Sequence, residues 1–127
     1  MNLGFDSMYE HPLRTWTAAG KEWLALFGLL VLHIPLVGVA PWFVLSVVLY
    51  GGRYYVMHRH AHLDTEWCRQ RLPWHYAHHM GPNQDMNWGV TTDWVDRLLG
   101  TREIYVGTPR EEQDTRRRLA SRAEKVV

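Results

Sequence analysis

An all-α fold is expected for this chain: a membrane helical hairpin followed by short cytosolic helices that carry clustered histidines. Three observations point there. The stretch from Trp23 to Tyr50 contains no charged residue, whereas a charge at the centre of a spanning helix costs about 2.5–3.5 kcal/mol. Pro35, Gly38 and Pro41 interrupt that stretch near its middle. Directly after it come two histidine clusters, His58-Arg59-His60-Ala61-His62 and His75-Tyr76-Ala77-His78-His79, at spacings that place imidazoles on one helix face.

The N-terminal lead, 1–20, is polar, with Asp6, Glu10 and Arg14, and lacks the early apolar core of a secretory signal peptide. One straight helix over the whole apolar stretch would be about 42 Å long, against a hydrocarbon core of about 30 Å. Proline also breaks a helical ladder. The expectation is therefore a hairpin over 21–57. Its first helix runs from about Lys21 to Val37, and its second starts on Pro41 and reaches Met57 or beyond. Arg14 and Lys21 precede the hairpin and Arg53 and Arg59 follow it, so the positive-inside rule puts both ends on the cytoplasmic side of an integral membrane protein.

A histidine-bearing cap is expected over 58–108. The segment Leu63–Arg71 is mixed and partly helical. Pro73 suits the first position of a short helix that Gly81-Pro82 stops. Thr92 or Asp93 is placed to cap a helix through Leu99, ended by Gly100. The tail, 109–127, is dense in Arg and Glu and is expected to be an exposed helix or disordered.

With 127 residues and a net charge of +1, the chain offers no electrostatic case for nucleic-acid binding. Seven Trp and six Tyr suit a membrane interface or a core equally. Cys68 is the single cysteine, which excludes an intrachain disulfide and a thiolate zinc site and leaves a packed thiol.

Neutral imidazole is the commonest metal ligand. His58 and His62 face one way on a helix that continues from the apolar stretch, while His60 points away and is expected at the surface. His78 and His79 diverge by about 100°, which suits two metals, or one metal and one supporting contact. Asp64, Glu66, Asp85 and Asp96 are candidate partners for the outer ring nitrogens. His33 is either a ligand or a hydrogen-bonded packing residue, and His11 precedes a proline in the polar lead. All-nitrogen ligation suits Fe, Zn, Cu or Ni better than Mg or Ca.

The stretch Tyr54 to Arg102, roughly two fifths of the chain, resembles the fatty acid hydroxylase and sterol desaturase superfamily. The likeness rests on Tyr54-x-x-x-His58-Arg59-x-x-His62, on Leu72-Pro73-Trp74-His75-Tyr76-Ala77-His78-His79, and on Asn87-Trp88-Gly89-Val90-Thr91. The ending Trp94-x-Asp96-Arg97-Leu98-Leu99-Gly100-Thr101 is similar to the family's Trp-Asp-x-x-Phe-Gly-Thr.

The resemblance implies an integral membrane protein with a histidine-rich dimetal centre, di-iron in the active form and open to zinc. Such a centre hydroxylates or desaturates lipid chains or sterols with dioxygen. It maps His58, His62, His75, His78 and His79 onto the last two of the family's histidine boxes. Two earlier boxes are the family's norm, and His11 and His33 form none, so the chain corresponds to a C-terminal half. That leaves a fragment, a shortened relative, or one partner of an assembly in which a second chain completes the site, and a lipid substrate is implied. With no Gly-rich dinucleotide fingerprint and no cysteine set for an iron–sulfur cluster, electrons come from a separate donor.

Overall fold

The computed structural model describes residues 17–124, so His11 lies outside the described residues. These fold into α1 (Ala18–His33), a 3-10 turn (Ile34–Gly38), α2 (Pro41–Leu63), α3 (Thr65–Arg71), α4 (Pro73–Met80), α5 (Trp94–Leu99) and α6 (Pro109–Glu124). No strand occurs among the described residues. The helical class is as expected.

Thr17 opens α1, its side chain accepting from the Gly20 amide at 3.0 Å. α1 ends at His33, four residues before the expected Val37. Pro35 has no N–H to continue the ladder, and the chain tightens into the 3-10 turn, closed by Ala40 N–H donating to the Leu36 carbonyl at 2.7 Å. Pro41 then starts α2, at the position where its missing donor costs nothing.

α1 and α2 pack antiparallel. Glu22 meets His58, the Leu26 side chain lies against Gly51, and the His33 ring tilts on Phe43 at 5.6 Å between centroids. As the chain advances along α1, its contacts retreat along α2. The outer faces are apolar and exposed: Leu32 is 72% accessible, Trp42 79% and Leu49 62%. A water-soluble hairpin would turn such faces inward. The segment Ala18–Gly38 is long and apolar enough to cross a membrane.

α2 continues without a break past Met57 to Leu63. Asp64 stops it and caps α3, accepting from the Trp67 amide at 2.9 Å. α3 and α4 fold back as two short helices joined at Leu72-Pro73. The cap core is Ala61, Cys68, Leu72, Tyr76, Ala77 and Tyr105, with Met57, Trp67, Trp74 and Met80 packed against it. Cys68 is fully buried there, as a packed thiol should be.

Beyond α4 the chain is stitched by side chains. Asn87, 1% exposed and at φ 59°, accepts through Oδ1 from the Glu103 amide at 3.0 Å. Asp96, 2% exposed, accepts from the Trp88 and Gly89 amides and the Thr101 hydroxyl at 2.8–2.9 Å. A Cβ at Gly89 would collide with the Thr92 carbonyl, so glycine is required there. Gly100 ends α5 in the left-handed region, φ 72°.

The charged tail is a helix, and it is docked. Asp114 accepts from the hydroxyls of Tyr105 at 3.0 Å and Tyr76 at 3.3 Å, while Arg118 pairs with Glu66 at 2.6 Å and Arg69 with Glu111 at 3.6 Å.

Candidate metal centre

Two elements supply the site. The last two turns of α2 carry His58 and His62, and α4 carries His75 and His79. Their relation follows from helix geometry: an i, i+4 pair on each of two packed helices presents four rings to one gap. The ring centroids form a puckered square. Its sides are 4.7 Å for His58–His62, 4.6 Å for His62–His79, 4.7 Å for His75–His79 and 5.1 Å for His58–His75. Its diagonals are 6.1 Å and 6.3 Å. One nitrogen from each ring lies within 4.8 Å of one from every other.

The square is dry. His62 and His75 are each 2% exposed and His58 is 8% exposed. Burial, then the neighbouring rings of His79, His58, His62 and His78, push His75 down to about 2. Burial, then His62, His78 and His58, push His79 down to about 3. Those two rings are therefore neutral at physiological pH, the form that ligates.

Glu22 of α1 reaches the centre from outside. Its Oε1 lies 2.7 Å from His58 Nδ1. With that nitrogen engaged, the Nε2 of His58 turns inward, 3.0 Å from the Nε2 of His62. Of the two His58 nitrogens, Nδ1 is the one beside the carboxylate and Nε2 the one beside His62.

His75 supplies the most direct test of what the gap accepts. Both of its ring nitrogens are buried and have no hydrogen-bond partner among the described residues. An imidazole desolvated in this way costs about 1–3 kcal/mol, a cost that a cation drawing on its lone pair would offset. Two nitrogens at about 2.0–2.1 Å from one tetrahedral ion stand about 3.3–3.4 Å apart. The observed separations, from 3.0 Å between the facing nitrogens to a limit of 4.8 Å, need only small ring movements. The residues fit a metal ion, and the all-imidazole set suits iron or zinc without choosing between them.

Of the five candidate ligands, the structure brings four together. His78 stands on the rim, its ring 5.1 Å from His79 and 6.2 Å from His75. Its Nδ1–H donates to the Met86 carbonyl at 2.8 Å, which leaves Nε2 as the acceptor. That is the arrangement of a ligating histidine, aimed beside the square rather than into it. The indole of Trp88 covers this ring at 5.0 Å.

The remaining histidines are separate from the square. His60 is half-exposed, stacks on Trp67 at 4.3 Å and faces Asp64, as a surface ring should. His33 donates from Nδ1 to the Leu29 carbonyl at 2.7 Å, the packing alternative.

None of the acidic residues named from sequence takes the partner role seen for Glu22. Asp64 caps α3, Glu66 pairs with Arg69 and Arg118, and Asp96 ties the Trp88 loop. Asp85 offers its carbonyl to the Trp88 indole N–H. Glu22 was missed because antiparallel packing, not sequence proximity, delivers it. Its one signal was a lone carboxylate at the mouth of an apolar helix. No family model, no curated protein and no solved structure matches this chain.

Proposed function

We propose that this chain carries the metal centre of a membrane-bound, O2-dependent non-haem iron enzyme that hydroxylates or desaturates lipid chains or sterols. The observation that carries the reading is the square of buried His58, His62 and His75 with half-buried His79, set at the end of an apolar hairpin. The sequence resemblance supports it over Tyr54 to Arg102. When bound, iron supplies the oxidising power that an unactivated C–H bond requires.

Each side chain then has a task. The four square imidazoles would hold an ion. Met86 fixes the His78 ring with its Nε2 free to ligate, so His78 would serve a second ion if further ligands were supplied. Trp88 and the buried walls keep water out, and the apolar hairpin admits a lipid substrate from the bilayer. Both ends of the hairpin face the cytoplasm, where a separate electron donor docks.

One observation favours a second reading. Four imidazoles saturate a tetrahedral ion, and closed sets are the mark of structural zinc. In that reading the chain keeps half a site as a structural or scavenging centre and has no oxygenase activity. Metal analysis of purified protein separates the two. About two irons per assembly, with one lost in His78→Ala and O2 consumed, is the oxygenase result. A single tightly held zinc with no O2 uptake is the structural result. A chain that retains no metal overturns both and leaves a membrane anchor.

A further inference from the structure

We infer that Glu22 is the positioning residue of the histidine centre: from the second turn of α1 it holds the Nδ1 side of His58 and so presents that ring's Nε2 to the cation. The inference rests on the metal-centre reading and adds to it a residue outside both histidine clusters.

Three observations carry it. The Oε1–Nδ1 separation is 2.7 Å, a direct carboxylate–imidazole contact. The pair is sheltered, with side chains 21% and 10% exposed for Glu22 and His58, so water competes weakly for either partner. The opposite ring nitrogen is the one that faces His62 at 3.0 Å. An imidazole that donates on one side must accept on the other. Fixing the proton on Nδ1 therefore fixes a lone pair on Nε2, and the negative carboxylate raises the basicity of that lone pair.

Glu22 also belongs to a different helix from the ring it holds. His58 is on α2 and Glu22 on α1, so the contact links the packing of the hairpin to the occupancy of the centre. Linkage is reciprocal. A cation that draws on His58 Nε2 strengthens the Nδ1–H donor, and so tightens α1 against α2.

The test uses the full chain in detergent with two variants, Glu22→Leu and Glu22→Gln. Leucine keeps the bulk and suits an apolar helix, so the fold survives, as checked by helical circular dichroism. Glutamine keeps an acceptor without the charge. Two readouts are taken: the His58 tautomer by nitrogen-15 NMR without metal, and the Zn2+ dissociation constant by titration.

In wild type, His58 carries its proton on Nδ1. In Glu22→Leu the proton moves to Nε2 and Zn2+ binds about 10–100-fold more weakly. Glu22→Gln restores the tautomer and most of the affinity. Either readout unchanged in Glu22→Leu overturns the inference, as does a glutamine variant no better than the leucine one. A wild-type chain that binds no Zn2+ refutes the metal centre instead. The tautomer then still decides whether Glu22 holds His58.

Discussion

The Nε2 atoms of His58 and His62 face each other at 3.0 Å on the last two turns of α2. His75 and His79 complete the square from α4. Four rings on two helices, rather than five in a row along the sequence, are the unit to be tested.

His75 is the member to remove first. His75→Phe deletes two buried, unpartnered nitrogens while keeping the ring volume. The metal-free protein is expected to gain about 1–3 kcal/mol, read by thermal unfolding in detergent. Zn2+ affinity should fall at the same time. A variant less stable than wild type without metal would show that His75 has a partner.

His78 should behave differently. It stands outside the square and is tethered to the Met86 carbonyl. His78→Ala is expected to keep one tightly bound ion and to lose any second one, measured as metal per chain by elemental analysis. Loss of the first ion would place His78 inside the primary set.

Acid should weaken the metal-free fold through the same rings. His75 is held down to about 2 and His79 to about 3, against an ordinary value of 6.5. Between those limits the unfolded chain binds more protons than the folded one, so stability rises with pH. It is present in full above about pH 6.5 and is lost progressively as the pH falls toward 3 and then 2. Melting temperatures at a series of pH values should follow this slope, and His75→Phe should flatten it.

The loop between α4 and α5 depends on one carboxylate. Asp96 accepts from two backbone amides and a hydroxyl while almost fully buried. Asp96→Ala is expected to cost about 3 kcal/mol. Hydrogen exchange should quicken at Trp88 and Gly89 before the rest of the cap. Uniform quickening would mean that the loop and the cap unfold together.

The docked tail has a comparable clip. Asp114 takes both tyrosine hydroxyls, from Tyr76 and Tyr105. Asp114→Ala is expected to cost about 2 kcal/mol and to open α6 to proteolysis while the histidine square persists.

What could be read in advance follows the range of the forces. Pro41, Pro73 and Gly100 act on their own turns, and each marks a boundary the structure keeps, whereas Pro35 ends α1 earlier than the expected Val37. The pairing of His58 with His62 is equally local, a matter of helix pitch. His60 could be set aside for the same reason. The sorting of His78 from His79 was not legible, because it depends on how α4 rotates against α2. Glu22 and Asp114 were not legible either. Each reaches its partner across the tertiary fold, and neither lies in a pattern that repeats. The tail is the expected exposed helix, but its ion pairs with Glu66 and Arg69 of α3 lie outside any window over 109–127.

The unbroken course of α2 turns that helix into a gauge. Nothing between Pro41 and Leu63 interrupts it, so the bearing of its histidines is counted in residues from the proline. One extra residue below His58 would swing the pair about 100° and raise it about 1.5 Å, out of register with α4. Length changes should therefore be tolerated beyond Leu63 sooner than within this rod. A one-residue insertion there would silence the centre without touching any of its ligands.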